Sequence, residues 1–112
     1  MAVVRFFTGD DGRTHFEELE SVAYDGSGNP LRMRPAEHYV LRRFGHRQDV
    51  DWHNPPRRQI VVMLSGEVEY EIGDGTKRRY GIGDIVIFED ITGQGHITRH
   101  YGDFCAAVVP LE

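Results

Sequence analysis

The residues in this sequence best suited to chemistry are two histidines and an amide. His53 stands just before a Pro-Pro turn, and His96 just after the glycine-rich loop Gly93-Gln94-Gly95. Gln59 opens the apolar run Ile60-Val61-Val62-Met63-Leu64. Near neutral pH an imidazole is a base, a proton carrier or a metal ligand. An amide adds one acceptor oxygen and two N–H donors. If the three meet at one interior point, they can bind a small organic ligand by a carbonyl or carboxylate oxygen. They can also hold a metal, since imidazole suits Zn, Ni and non-haem Fe, although the amide is a weak oxygen donor without charge. The expected cofactor is a divalent metal (Zn, Fe, Ni or Mn) on His53, Gln59 and His96, or none. The alternative is a closed polar interior in which the three bond one another and water.

Further candidates surround this set. Asp90 reads as a general base or as a partner that orients His96, and with Glu89 it is an acid that could join a metal. Arg42 and Arg43 alternate, so one faces the interior if 39–44 is a strand. Arg43 is the expected substrate contact, and a salt bridge from the inward arginine to Asp90 or Glu89 competes with that role, because a buried cation needs an acceptor. Trp52 is either core or a wall for an apolar ligand, and His100 lines the far end of the pocket. Arg57 and Arg58 read as solvated turn residues, and His15, His38 and His46 as surface histidines. Cys105, in Phe104-Cys105-Ala106-Ala107, has no basic neighbour to activate it and reads as a buried structural thiol.

The elements that must position these groups are strands. Glu67-Val68-Glu69-Tyr70-Glu71-Ile72 alternates strictly, which places Val68, Tyr70 and Ile72 on one face and three glutamates in water. Gly73-Asp74-Gly75 predicts a hairpin turn, and Gly81-Ile82-Gly83-Asp84 a second. Ser65-Gly66 is read as a turn after the strand from Gln59 to Leu64. Strands are also predicted at Met1 to Phe7, Tyr39 to Phe44, Lys77 to Tyr80, Ile85 to Phe88, His96 to Tyr101 and Phe104 to Val109. Thr14 to Leu19 is a strand or one helical turn, and His46 to Asp51 a loop. Short strands at this spacing indicate an all-β sandwich or barrel. At roughly 3.3 Å per residue, His96 and His100 lie about 13 Å apart on one strand, so they share a face but not an ion. His53 and Gln59 converge only if the chain reverses between them, and Pro55-Pro56-Arg57-Arg58 is where it can.

The 112 residues make one domain. Thirteen Lys and Arg against eighteen Asp and Glu give a net charge of -5, which argues against nucleic acid as a partner. No apolar run exceeds six residues, too short to span a membrane as a helix. A lone cysteine forms no internal disulfide, and nothing at the N-terminus reads as a signal peptide. The expected location is cytoplasmic.

These spacings resemble the cupin family of small jelly-roll barrels, over about residues 38–109, with 1–37 as an N-terminal strand and extension. In the first cupin motif (Gly, five residues, His-x-His, three or four residues, Glu, six residues, Gly), His53 takes the first histidine, Pro55 the second, Gln59 the glutamate and Gly66 the closing glycine. Arg47 fills the leading glycine slot. In the second (Gly, five residues, Pro-x-Gly, two residues, His, three residues, Asn), Gly83 opens the motif and Glu89 falls on the proline. A two-residue insertion then brings His96 onto the histidine and His100 onto the asparagine. The resemblance implies a cupin-like double-stranded β-helix with an interior site, and a habit of forming homodimers through outer strands, for which Ile60, Val62 and Leu64 are the apolar candidates. Enzymes, non-catalytic binders of small molecules and oligomeric interaction modules all use this fold, which does not select among them.

Overall fold

The computed structural model describes residues 1–19, 40–44 and 49–111, with 40–44 known by backbone alone. The described residues are all-β. In chain order the strands are β1 (Val3–Thr8), β2 (Thr14–Leu19), β3 (Val40–Phe44), β4 (Asp49–His53), β5 (Gln59–Glu71), β6 (Lys77–Gly81), β7 (Ile85–Glu89) and β8 (His96–Pro110). They form one eight-stranded sheet in the order β2-β1-β7-β5-β8-β3, with β4 added to β8 and β6 to β5. The β1–β7 pair is parallel and the rest are antiparallel. Among the described residues the sheet is not closed; β2 and β3 are its ends.

Two long strands carry the design. β5 and β8 pair from Gln59–Pro110 to Glu71–Ile97, and the register slips around Ser65. Gly66 sits there with a φ of 70°, and Gly102 opposite has a φ of 72°. A Cβ on Gly66 would come within 2.7 Å of the Phe104 Cα, so only glycine fits. Extra residues in a ladder bend and twist a strand. Each long strand therefore changes partners at its bend. The first half of β5 and the last half of β8 run with β7 and β3, and the other halves run with β6 and β4. Ser65-Gly66 is thus a bulge inside one strand rather than a turn between two, and Gly102 likewise joins the two segments expected after residue 95.

The alternation of Val68, Tyr70 and Ile72 holds, and all three are buried. They join Val4, Phe6, Val61, Met63, Val86, Phe88, Phe104 and Ala106 in the core. Val4 and Phe6 are fully buried, so the core extends outside 38–109 into β1. Phe6 packs edge-on against Phe16, Tyr70 and Phe88 at 4.6–5.0 Å. That contact also decides the Thr14–Leu19 alternative in favour of a strand, because register with β1 places Phe16 opposite Phe6. Residues 49–51, expected in a loop, belong to β4, where Asp49 and Val50 pair with Arg99 and Thr98 of β8; all three are exposed and gave no alternating signal. On the opposite face Ile60 packs against Val3 and Ile87, while Leu64 is largely exposed.

Outside, the glutamates of β5 meet cations across the ladder. Arg99 bridges Glu69 and Glu71 at 3.0 and 2.9 Å, and Arg79 pairs with Glu67 at 2.9 Å. Among the described residues no helix is long and apolar enough to cross a membrane.

Candidate functional site

Register brings the two histidines together. His53 ends β4 directly opposite His96, the first residue of β8. Their rings lie 4.7 Å apart, centre to centre. Gln59 starts β5 opposite Phe88, whose ring stacks on His96 at 4.8 Å. The strands of both bent halves thereby surround one cavity of about 250 Å³. His53, Gln59, His96, Thr98 and His100 supply its polar wall; Tyr70, Phe88, Phe104 and valines supply the rest. The chain does reverse at Pro55-Pro56, and both prolines border the cavity.

His96 is held from behind. Its ring is buried in an aromatic box of Phe88, Tyr70 and Phe6. Nδ1 lies 2.6 Å from Oδ2 of Asp90, which is wholly buried and also accepts the Thr14 hydroxyl at 2.7 Å. A carboxylate only accepts, so Nδ1 carries the hydrogen and Nε2 of the neutral ring is left unprotonated. Of the two roles weighed for Asp90, this placement suits the partner that orients His96, because the carboxylate sits behind the imidazole. The other carboxylate oxygen, Oδ1, has no partner among the described residues.

His53 is fixed differently. Its Nδ1 donates to the Asp51 carbonyl at 2.8 Å, which again leaves Nε2 unprotonated in the neutral ring. Burial pushes its pKa down, and nearby His96 adds to this against the opposing pull of the Asp51 carbonyl and the Asp90 charge. The cavity therefore presents a neutral imidazole at physiological pH.

The loop 90–95 is pinned to β4. Asn54 donates its side-chain N–H groups to the carbonyls of Asp90 and Thr92 at 2.9 and 3.0 Å. Gly95 has a φ of 76°, and a Cβ there would meet the His53 carbonyl. Asn54 was invisible as a site residue in the sequence, where it read as part of a turn. Alternation puts Tyr70 on one face with Val68 and Ile72, and Phe88 ends a predicted strand, but nothing local marks either as cavity wall.

Three expectations are corrected. Trp52 is 39% exposed and does not line the cavity; the register of β4 shifts between Val50 and His53, and those two residues border it instead. Arg58 is no solvated turn residue: its guanidinium and that of Arg5 clamp Glu89, with Nε–O distances of 2.8 and 2.6 Å. Glu89 and Asp90 thus already have partners. Cys105 is free and only partly buried. In the ladder with β8, Arg43 stands opposite Cys105 and Arg42 opposite Ala106, a cavity residue. The side chains of β3, with His38 and His46, lie outside the described residues. His100 lines the cavity as expected, and His15 bonds Asp11 at the surface.

As a metal site the set is neutral. Two imidazoles bound to one ion through N–metal bonds of about 2.1 Å put their ring centres roughly 4.7–5.4 Å apart. The His53–His96 spacing of 4.7 Å falls in that range. Among the described residues, no three His, Cys, Asp or Glu side chains gather closely enough to hold an ion. A cation here would rest on His53, His96 and the Gln59 amide. No family model matches the sequence, and no curated protein matches it.

Proposed function

We propose that this chain is a single cupin-like barrel domain whose interior cavity takes a small, mostly apolar organic molecule by its carbonyl or carboxylate end. In this reading His96, backed by Asp90, is the base, and His53 and Gln59 hold the polar end of the ligand. The observation that carries it is the buried Thr14–Asp90–His96 chain ending at the cavity wall. A carboxylate behind an imidazole keeps its tautomer and steadies the imidazolium that forms when the ring takes a proton. His96 itself borders the cavity. The scale is that of a metabolite: a cavity of 150 Å³ accepts benzene, so 250 Å³ suits about ten non-hydrogen atoms.

The test is ligand-observed NMR with small ketones, phenols and carboxylic acids of that size. Binding to the wild type that is lost in His96→Ala and Gln59→Leu supports the reading. A folded wild type that binds none of the three classes would overturn it.

The ring spacing favours a second reading, in which the two imidazoles and the amide hold a divalent cation. Such an ion would polarise a ligand oxygen. Elemental analysis of protein purified without chelator decides it: stoichiometric metal, lost in His53→Ala and His96→Ala, is the supporting result. Metal neither retained nor taken up on addition rejects it.

A further inference from the structure

The inward face of β8 changes character along its length. The second half turns Phe104, Ala106 and Val108 into the core, whereas the first half turns His96, Thr98 and His100 inward in succession, all three buried and all three on the cavity wall. A buried polar side chain is the informative kind. Thr98 is 6% exposed and stands in the ladder between Val50 of β4 and Tyr70 of β5, which border the same cavity. Its hydroxyl has no hydrogen-bond partner among the described residues, yet it is not sealed among protein atoms as the unpartnered Tyr80 hydroxyl is. In a residue this buried, the space that the hydroxyl opens onto is the cavity.

From this unpaired hydroxyl we infer that Thr98 is a second recognition point of the cavity, selecting a neutral aromatic carbonyl compound with a hydroxyl on the opposite side of its ring. The inference rests on the proposed cavity function and adds the ligand class and the residue that selects it. His53, Gln59 and His96 take the carbonyl end, and Thr98, two residues along β8 from His96, takes the hydroxyl. Two residues on one face of a strand are roughly 6–7 Å apart, about the span from a ring-bound carbonyl oxygen to a hydroxyl on the opposite ring carbon. A threonine hydroxyl both donates and accepts, which matches a partner that does the same.

Two further properties of the site suit this class. The rings of Tyr70, Phe88 and Phe104 border the cavity, so a flat ring lying between the two polar points meets aromatic surface. The described cavity wall carries no Asp, Glu, Lys or Arg, so an uncharged ligand leaves no buried charge without a partner. The residue type points the same way. Valine would fill the Thr98 position without an unpaired hydroxyl, which costs stability when buried. A ligand that supplies the missing hydrogen bond offsets that cost.

The probes are acetophenone and its 4-hydroxy derivative, titrated against the full chain by ligand-observed NMR. The wild type is expected to bind the 4-hydroxy compound about fivefold more tightly, the ordinary worth of one hydrogen bond. Thr98→Val keeps the shape and removes the hydroxyl. It is expected to abolish that preference, to bind acetophenone as well as the wild type does, and to be no less stable in urea. Thr98→Ser, which keeps the hydroxyl, is expected to keep the preference. Equal binding of the two ketones by the wild type, or a preference that survives Thr98→Val, would overturn the inference and leave the cavity as a binding site. A clear loss of stability in Thr98→Val would mean that the hydroxyl is bonded within the protein, and would overturn it too. Failure of both ketones to bind would count against the underlying cavity function, and the inference would fall with it.

Discussion

Glu89 and Asp90 are neighbours in the chain and opposites in the molecule. Glu89 ends β7 with its carboxylate held by two arginines, Arg5 from β1 and Arg58 from the approach to β5. Asp90 is sealed, has no cation beside it among the described residues, and meets a threonine hydroxyl and an imidazole through one oxygen. One peptide step separates a carboxylate that ties strands together from one that holds a buried imidazole. The Glu89 clamp is partly wet and links three segments by charge. The Asp90 pair has been taken from water completely, so its worth depends on hydrogen-bond geometry and on what would be left unpaired without it.

The sharpest way to break this comparison is Asp90→Ala. It strands two buried donors, Thr14 Oγ1 and His96 Nδ1. At about 1–3 kcal/mol for each buried donor left unsatisfied, the expected loss of stability is about 3 kcal/mol, measured by urea unfolding. A loss under about 1 kcal/mol would mean that the pair is not built as described. Glu89→Gln keeps the shape and removes the charge between Arg5 and Arg58. Since both arginines are partly exposed, the expected loss is smaller, about 1 kcal/mol, and it should shrink in high salt, whereas that of Asp90→Ala should not.

A pH titration sharpens the contrast between the two histidines. His53 has a folded pKa below its ordinary 6.5, mainly through burial, so the unfolded chain binds a proton there before the folded chain does. Its contribution to stability is therefore fully present above 6.5 and is lost as pH falls from that value to the lowered folded pKa. Urea midpoints are expected to drop in that window and, in His53→Gln, to drop less. NMR titration of the ring should give a pKa under 6.5; a higher value would contradict the burial described here. The smallest effect belongs to the outer ladder. Arg99→Ala breaks two solvent-screened pairs, with an expected cost of about 0.5 kcal/mol that vanishes in salt.

Much of the site could be read ahead of the fold because its signals are local. Period-two alternation marked Val68, Tyr70 and Ile72 as inward, the glycine pairs marked the turns, and the proline pair marked the reversal that lets Gln59 approach His53. What escaped were contacts between residues remote in sequence. Arg58 meets Glu89 across 31 positions and Thr14 meets Asp90 across 76. No pattern within either segment announces such a partner.

The order of residue types by itself determined that this chain makes strands, where most of them end, and that two imidazoles and an amide sit at strand edges. Tertiary structure alone decided which of two adjacent side chains looks inward: His53 rather than Trp52, and Asp90 rather than Glu89. The physical reason is the two-residue repeat of a strand. Moving the register by one residue exchanges the two faces without altering a single local preference, so only pairing with a distant strand can choose between them.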